Sequence, residues 1–168
     1  MPFSISGQKG GNRIMEKKIN SYYGMAYNDY CYAKAGMQVG EQLGNYNGVA
    51  ALCAQSAEKY LKAILEVTFA EDALGLMHSH NLRAITNKLK EIYPKLDLSS
   101  KDMKWLGDFY YDARYPGDNF VEVNREDALE CLRITEDLCQ KITPLLEQNH
   151  SKMQQKKRQI QELDSFDL

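Results

Sequence analysis

The stretch DARYPGDNF, Asp112 to Phe120, concentrates residues that could do chemistry. Arg114 offers a planar fork of donors suited to a phosphate. Tyr110, Tyr111 and Tyr115 flank it with rings on which a base can stack. Asn119 can hydrogen-bond a phosphate or a ribose, but it does not titrate and so moves no proton. Pro116 and Gly117 make a tight turn, which leaves Arg114 near a helix C-terminus, where the macrodipole alone favours a cation. Neither a Ser–His pattern nor a pair of carboxylates accompanies the turn, so the ordinary parts of a hydrolytic centre are missing.

A second polar set lies in AQSAEKYLKAIL, Ala54 to Leu65. At helical spacing Gln55, Glu58, Lys59 and Lys62 share one side, opposite Ala57, Leu61 and Ile64. Glu58 and Lys62 are four apart in the order that favours an ion pair. This side is either a solvated helix face or a polar groove in which Lys59 and Lys62 meet a phosphate or a partner. MHSHNL places His78 and His80 at the mouth of a third helix. Capping and surface hydrogen bonding suit them better than a metal, for which no third ligand lies nearby. No metal and no cofactor is expected. His80 becomes a candidate for proton transfer if the fold brings it beside Arg114.

These residues must be positioned by helices, because the apolar pattern is helical almost throughout. The first helix is expected from about Ser21 to Leu43, with Ala26, Tyr30, Ala33 and Met37 on one stripe; GNYNG then breaks it. The second runs from about Asn47 to Phe69 with Cys53, Ala57, Leu61, Ile64, Leu65 and Thr68 on one face. The third starts near Ser79 as N-cap and repeats Leu82, Ile85, Leu89 and Ile92. The fourth starts at Ser99 or Ser100 and carries Met103, Leu106, Phe109, Tyr110 and Ala113. The fifth opens at Asn124, with Asp127 in the capping position, and Pro144 is expected to kink or end it. NFVEV is too short to trust as a strand. Short connections between five helices imply an all-α, up-and-down antiparallel bundle over residues 19–148. Residues 1–18 read as a disordered lead, within which Met15 can be the natural start. Residues 149–168 read as a charged tail, able to prolong the last helix, with little to bury.

The chain has 168 residues, of which 43% are hydrophobic, enough for one domain with a sizeable core. A net charge of −2 argues against charge-driven, non-specific nucleic-acid binding, so any such contact must be a local patch. Cys31, Cys53, Cys131 and Cys139 show no zinc-ligand spacing and read as small buried hydrophobes in a reducing compartment. No apolar run is long enough to span a membrane, and the first residues lack the core of a signal peptide. A cytoplasmic protein is expected.

AQSAEKYLKAIL, HSHNL and ARYPG, in that order on a five-helix pattern, resemble the HEPN domain (higher eukaryotes and prokaryotes nucleotide-binding). The resemblance covers about residues 20 to 146 and is to the branch with an A-Q-x-A-E-K-x-x-K-A helix and an R-Y-P turn. It implies an all-α bundle that usually dimerises, and in many members a minimal nucleotidyltransferase partner in a toxin–antitoxin or related pair. Other members are metal-independent RNases that use an Arg followed shortly by a His. The Arg position matches Arg114. The window for the His holds Asn119, Phe120 and Val121, so the His is absent.

Loss of a titrating group removes the means to take a 2′-hydroxyl proton or to protonate the leaving oxygen, which costs roughly a hundredfold or more in rate. The resulting expectation is a non-catalytic or weakly catalytic dimeric module. It would bind nucleotide, RNA or a nucleotidyltransferase partner through Arg114, Tyr115, Tyr111, Asn119, Lys59 and Lys62. One alternative is an endoribonuclease toxin with a displaced acid–base residue, drawn from Arg114, Asn119 and His80. The other is a purely structural partner-binding subunit.

Charge is unevenly spread. Arg83 to Lys104 holds six basic and three acidic side chains, a net of +3; Glu122 to Glu147 holds seven acidic and three basic, a net of −4. This asymmetry serves helix packing within a chain or docking between chains. A two-fold homodimer is expected, with the two Arg114 turns forming one shared cleft walled by Tyr111 and Tyr115.

Overall fold

The computed structural model describes residues 18–68 and 70–166. Within them the chain forms six α-helices: α1 (Tyr22–Leu43), α2 (Asn47–Glu66), α3 (Glu71–Leu74), α4 (Leu82–Ile92), α5 (Ser100–Asp112) and α6 (Arg125–Phe166). A 3-10 turn, Gly75–His78, follows α3. No strand occurs among the described residues, and NFVEV is turn and loop. The expected lead and Met15 fall almost wholly outside the described residues.

Helix α2 is the central element and packs against α1, α4, α5 and α6. Its sequence explains why. Ala50, Ala54, Ala57, Leu61, Ile64 and Leu65 recur at helical spacing on one face of α2 and are all buried. Each such Leu or Ile contributes about 1.5–3 kcal/mol by leaving water. From α1, Ala26 and Ala33 meet this surface with no exposure. Ser56 Oγ donates to the Ala26 carbonyl at 2.7 Å, spending the one small polar group at the contact inside it. Gly40 lies so close to the Tyr46 ring that a Cβ there has no room. Gly44 then ends α1 at φ 66°, a left-handed cap that donates to the Gly40 carbonyl.

Polar caps set the other starts. Asn81 Oδ1 accepts from the Ala84 amide, so α4 begins at Leu82 and not beside Ser79, which instead accepts from the Asn81 amide. Ser99 caps α5 through the Asp102 amide, and Asn124 caps α6 through the Asp127 amide. Two expectations change here. The five expected helices become six, because the segment between α2 and α4 holds the short α3 and the 3-10 turn, with Ala73 fully buried. And α6 neither ends nor breaks at Pro144: the helix continues to Phe166. Proline costs a helix its bond to the carbonyl four residues back, but Pro144 is exposed, where water can satisfy that oxygen. Core contact on α6 comes from Ala128, Cys131, Leu138, Ile142 and Leu146. Beyond Leu146 no side chain whose exposure is described is fully buried.

The four cysteines divide. Cys53 and Cys131 are buried as expected, Cys139 is half-buried, and Cys31 is exposed, on the solvent side of α1. No helix among the described residues is long and apolar enough to cross a membrane.

Candidate functional site

The loop after α5 is strapped to the start of α2 by one side chain. Asn47 Nδ2 donates to the Ala113 carbonyl at 2.9 Å and to the Val121 carbonyl at 2.7 Å, while its Oδ1 accepts from the Val123 amide at 2.9 Å. Asn47 is buried, and Asn45 Nδ2 donates to the same Oδ1 at 2.8 Å. Within the loop the Val121 amide bonds the Asp112 carbonyl at 2.8 Å. Both limbs of the loop are thereby held, and Arg114 leaves the first limb at a fixed point over α2.

There the Arg114 guanidinium lies against the Gln55 amide. With the amide oxygen turned toward the two donors, as the charges require, it accepts from Nη1 at 2.6 Å and from Nη2 at 3.1 Å. The same guanidinium sits 5.6 Å from the Tyr110 ring centre and 5.8 Å from that of Tyr115, within cation–π range. Gln55, Glu58, Lys59, Tyr110 and Arg114 line a cleft of about 250 Å³. The amide uses two of the five guanidinium donors, and the other three have no hydrogen bond among the described residues.

The other cations of this face are already spoken for. Lys59 borders the cleft but is ion-paired with Asp29 of α1. Lys62, expected toward a ligand, is buried instead, and its Nζ donates to Glu58 Oε1 at 2.6 Å. The polar side of α2 is thus not a solvated face: Gln55, Glu58 and Lys59 line the cleft, whereas Lys62 is turned inward onto Glu58. Glu58 spends its second oxygen, Oε2, on His80 Nδ1 at 3.0 Å. A carboxylate held by an ammonium only accepts, so Nδ1 carries the proton in this contact. The His80 ring stacks on Tyr110 at 5.2 Å and 22°. Tyr110 is therefore shared: His80 lies on it, and Arg114 lies over it.

The remaining candidates are placed apart. Asn119 is exposed, makes no side-chain hydrogen bond among the described residues and does not line the cleft. Tyr111 is exposed and borders the neighbouring groove. His78 ends the 3-10 turn, exposed. Among the described residues no group of three or more His, Cys, Asp or Glu side chains could hold a metal ion. Sequence reasoning set Tyr110 beside Arg114 as a stacking ring and Gln55 on the polar side of α2, but it gave neither a part in orienting Arg114. It did not single out Asn47, since its partners lie 66 and 74 residues away.

An all-helical bundle whose strapped loop carries an Arg with no carboxylate partner among the described residues, over a Lys–Glu–His chain that runs from the core to the surface, defines a helical domain with a small cationic cleft. The chain belongs to the HEPN domain family, whose model matches residues 21–159. No curated protein and no solved structure matches the chain.

Proposed function

We propose that the domain binds a phosphate-bearing ligand, a nucleotide or an RNA strand, at the Arg114 cleft, and that binding rather than cleavage is its main activity. One observation carries this reading. Of the three cations near the cleft, Lys59 and Lys62 are neutralised by Asp29 and Glu58, whereas Arg114 has no carboxylate partner among the described residues. An Arg that is oriented by a neutral amide and two rings, with donors to spare, is built to receive an anion. Dimerisation and a nucleotidyltransferase partner are part of the same proposal. Exposed Tyr111, Tyr115, Phe120 and Val121 beside Arg114 supply an apolar border that a second copy or a partner can cover.

The test is fluorescence anisotropy with labelled ATP and a labelled single-stranded RNA. Arg114→Ala should weaken both at least about tenfold, the value of one charge-assisted contact. Arg114→Lys should recover little, because an ammonium cannot replace the planar fork. Binding unchanged by Arg114→Ala would sink the reading.

A second reading, residual RNase activity, rests on the Glu58–His80 contact. A carboxylate that fixes the tautomer of a histidine beside a phosphate-binding Arg is an acid–base arrangement. His80 is displaced from the family's loop position yet shares Tyr110 with Arg114. In that case RNA cleaved by the wild type should survive with His80→Ala while binding persists. Wild-type protein that leaves RNA whole removes this reading.

A further inference from the structure

The cleft at Arg114 does not stand alone. On the other side of the Tyr110–Tyr111–His80 ridge lies a groove of about 380 Å³ between α4 and α5. His80, Asn81 and Arg83 border it from the α4 side, and Lys104 and Tyr111 from the α5 side. Its floor is narrow because Gly107 lets Leu82 come within 3.3 Å of where a Cβ would be. Its charge is positive: Lys104 is balanced by Asp108 at 2.9 Å, but Arg83 is exposed and without an ion pair among the described residues. Tyr111 is 56% exposed and meets the Tyr110 ring edge-on at 4.7 Å.

We propose that this groove is a second subsite for the same ligand, so that the domain takes a single-stranded nucleic acid running from Arg114 across the aromatic ridge to Arg83, and not a free mononucleotide. The proposal rests on the phosphate-binding reading of the Arg114 cleft and specifies its ligand. Two arguments carry it. The cleft alone, at about 250 Å³, is smaller than the roughly 300–1,000 Å³ that encloses a whole small ligand, whereas cleft and groove together fall in that range. And a free cation, an exposed ring and a second free cation in succession match a strand's repeat of phosphate and base, since bases stack on aromatic faces while the backbone follows positive charge.

The experiment compares affinities of the full chain, at one fixed salt concentration, for labelled ATP, a single-stranded RNA hexanucleotide, its DNA counterpart and a glutamate hexapeptide. Wild type should bind the RNA or DNA hexanucleotide more tightly than ATP. Arg83→Ala should weaken hexanucleotide binding about tenfold, lower its salt slope by roughly 0.7, and leave ATP binding unchanged; Arg83→Lys should keep the salt slope. Arg114→Ala should weaken both ligands. Hexanucleotide binding indifferent to Arg83→Ala overturns the second subsite while the Arg114 reading stands. Indifference to Arg114→Ala overturns both. A glutamate peptide that binds as well as the hexanucleotide, with the same dependence on Arg83, marks a general anion patch and also overturns the subsite.

Discussion

His80 Nδ1 lies 3.0 Å from Glu58 Oε2, and Lys62 Nζ holds the other oxygen of the same carboxylate at 2.6 Å. The three side chains form a line from the core to the surface: Lys62 is buried, Glu58 is nearly so, and the His80 side chain is about half exposed. An ammonium inside the bundle is tolerable because the carboxylate cancels it, and the carboxylate in turn orients the one histidine near Arg114. Core stability and site geometry thus share a single glutamate.

Glu58→Gln should therefore be costly. Removing one partner of a buried pair leaves the other charge uncompensated, a loss of about 3–5 kcal/mol. The urea midpoint should drop accordingly, and the double variant Glu58→Gln/Lys62→Met should regain most of it by removing the stranded ammonium. A single variant within about 1 kcal/mol of wild type would show that the pair behaves like a surface salt bridge.

Asn47→Ala should act at a distance. It strands the Val123 amide and the carbonyls of Ala113 and Val121, and a cost of about 2–4 kcal/mol follows if several of these cannot reach water. Hydrogen exchange at Val123 and at its loop neighbour Val121 should speed up more than exchange in α2. Ligand affinity at Arg114 should fall with it, although Asn47 does not line the cleft. Unchanged exchange in the loop would mean that Asn47 is not what fixes it.

Thiol accessibility should separate the cysteines. Burial pushes the Cys53 thiol up from 9.0 to about 12 and raises Cys131 as well, so neither offers a thiolate at neutral pH. In the native protein an alkylating reagent should label exposed Cys31 first, with Cys53 and Cys131 reacting only on unfolding. Mass mapping of the labelled peptides reads this directly. Early modification of Cys53 would contradict the packing of α2 against α6.

Stability should fall on the alkaline side. Burial raises the phenols of Tyr23, Tyr30 and Tyr60 above 10.0, Tyr30 to about 12, and raises the thiols of Cys53 and Cys131 above 9.0. Between pH about 9 and 12 the unfolded chain releases protons that the native state keeps, and stability decreases wherever the unfolded state binds fewer protons. The urea midpoint should decline steadily above pH about 9, and Tyr30→Phe should soften that decline. A flat profile to pH about 11 would show these groups to be better hydrated than their burial implies.

Much of this protein was legible in the sequence. Runs such as Leu82, Ile85 and Leu89, or Ala128, Cys131 and Leu138, repeat at the helical period, and Asn124, Ser99 and the GNYNG break mark ends by local hydrogen bonding and backbone freedom. Those signals are short-range, so a linear reading finds them, and the order of three short motifs was enough to indicate the HEPN family. The four-residue helix α3 escaped because one turn has no period, and the alternative that Pro144 ends the last helix failed because the exposed position that makes a mid-helix proline tolerable is a tertiary fact. The site was legible only in part. Arg114 declared itself by type and by its turn. That Gln55 orients it, that Lys62 is buried and spent on Glu58, that His80 comes to share Tyr110 with Arg114, and that Asn47 straps the loop all depend on residues far apart in the chain. Side-chain polarity along α2 says only that those residues need partners. Which partners they find, and whether any charge is left over for a ligand, is decided by which helices pack around α2.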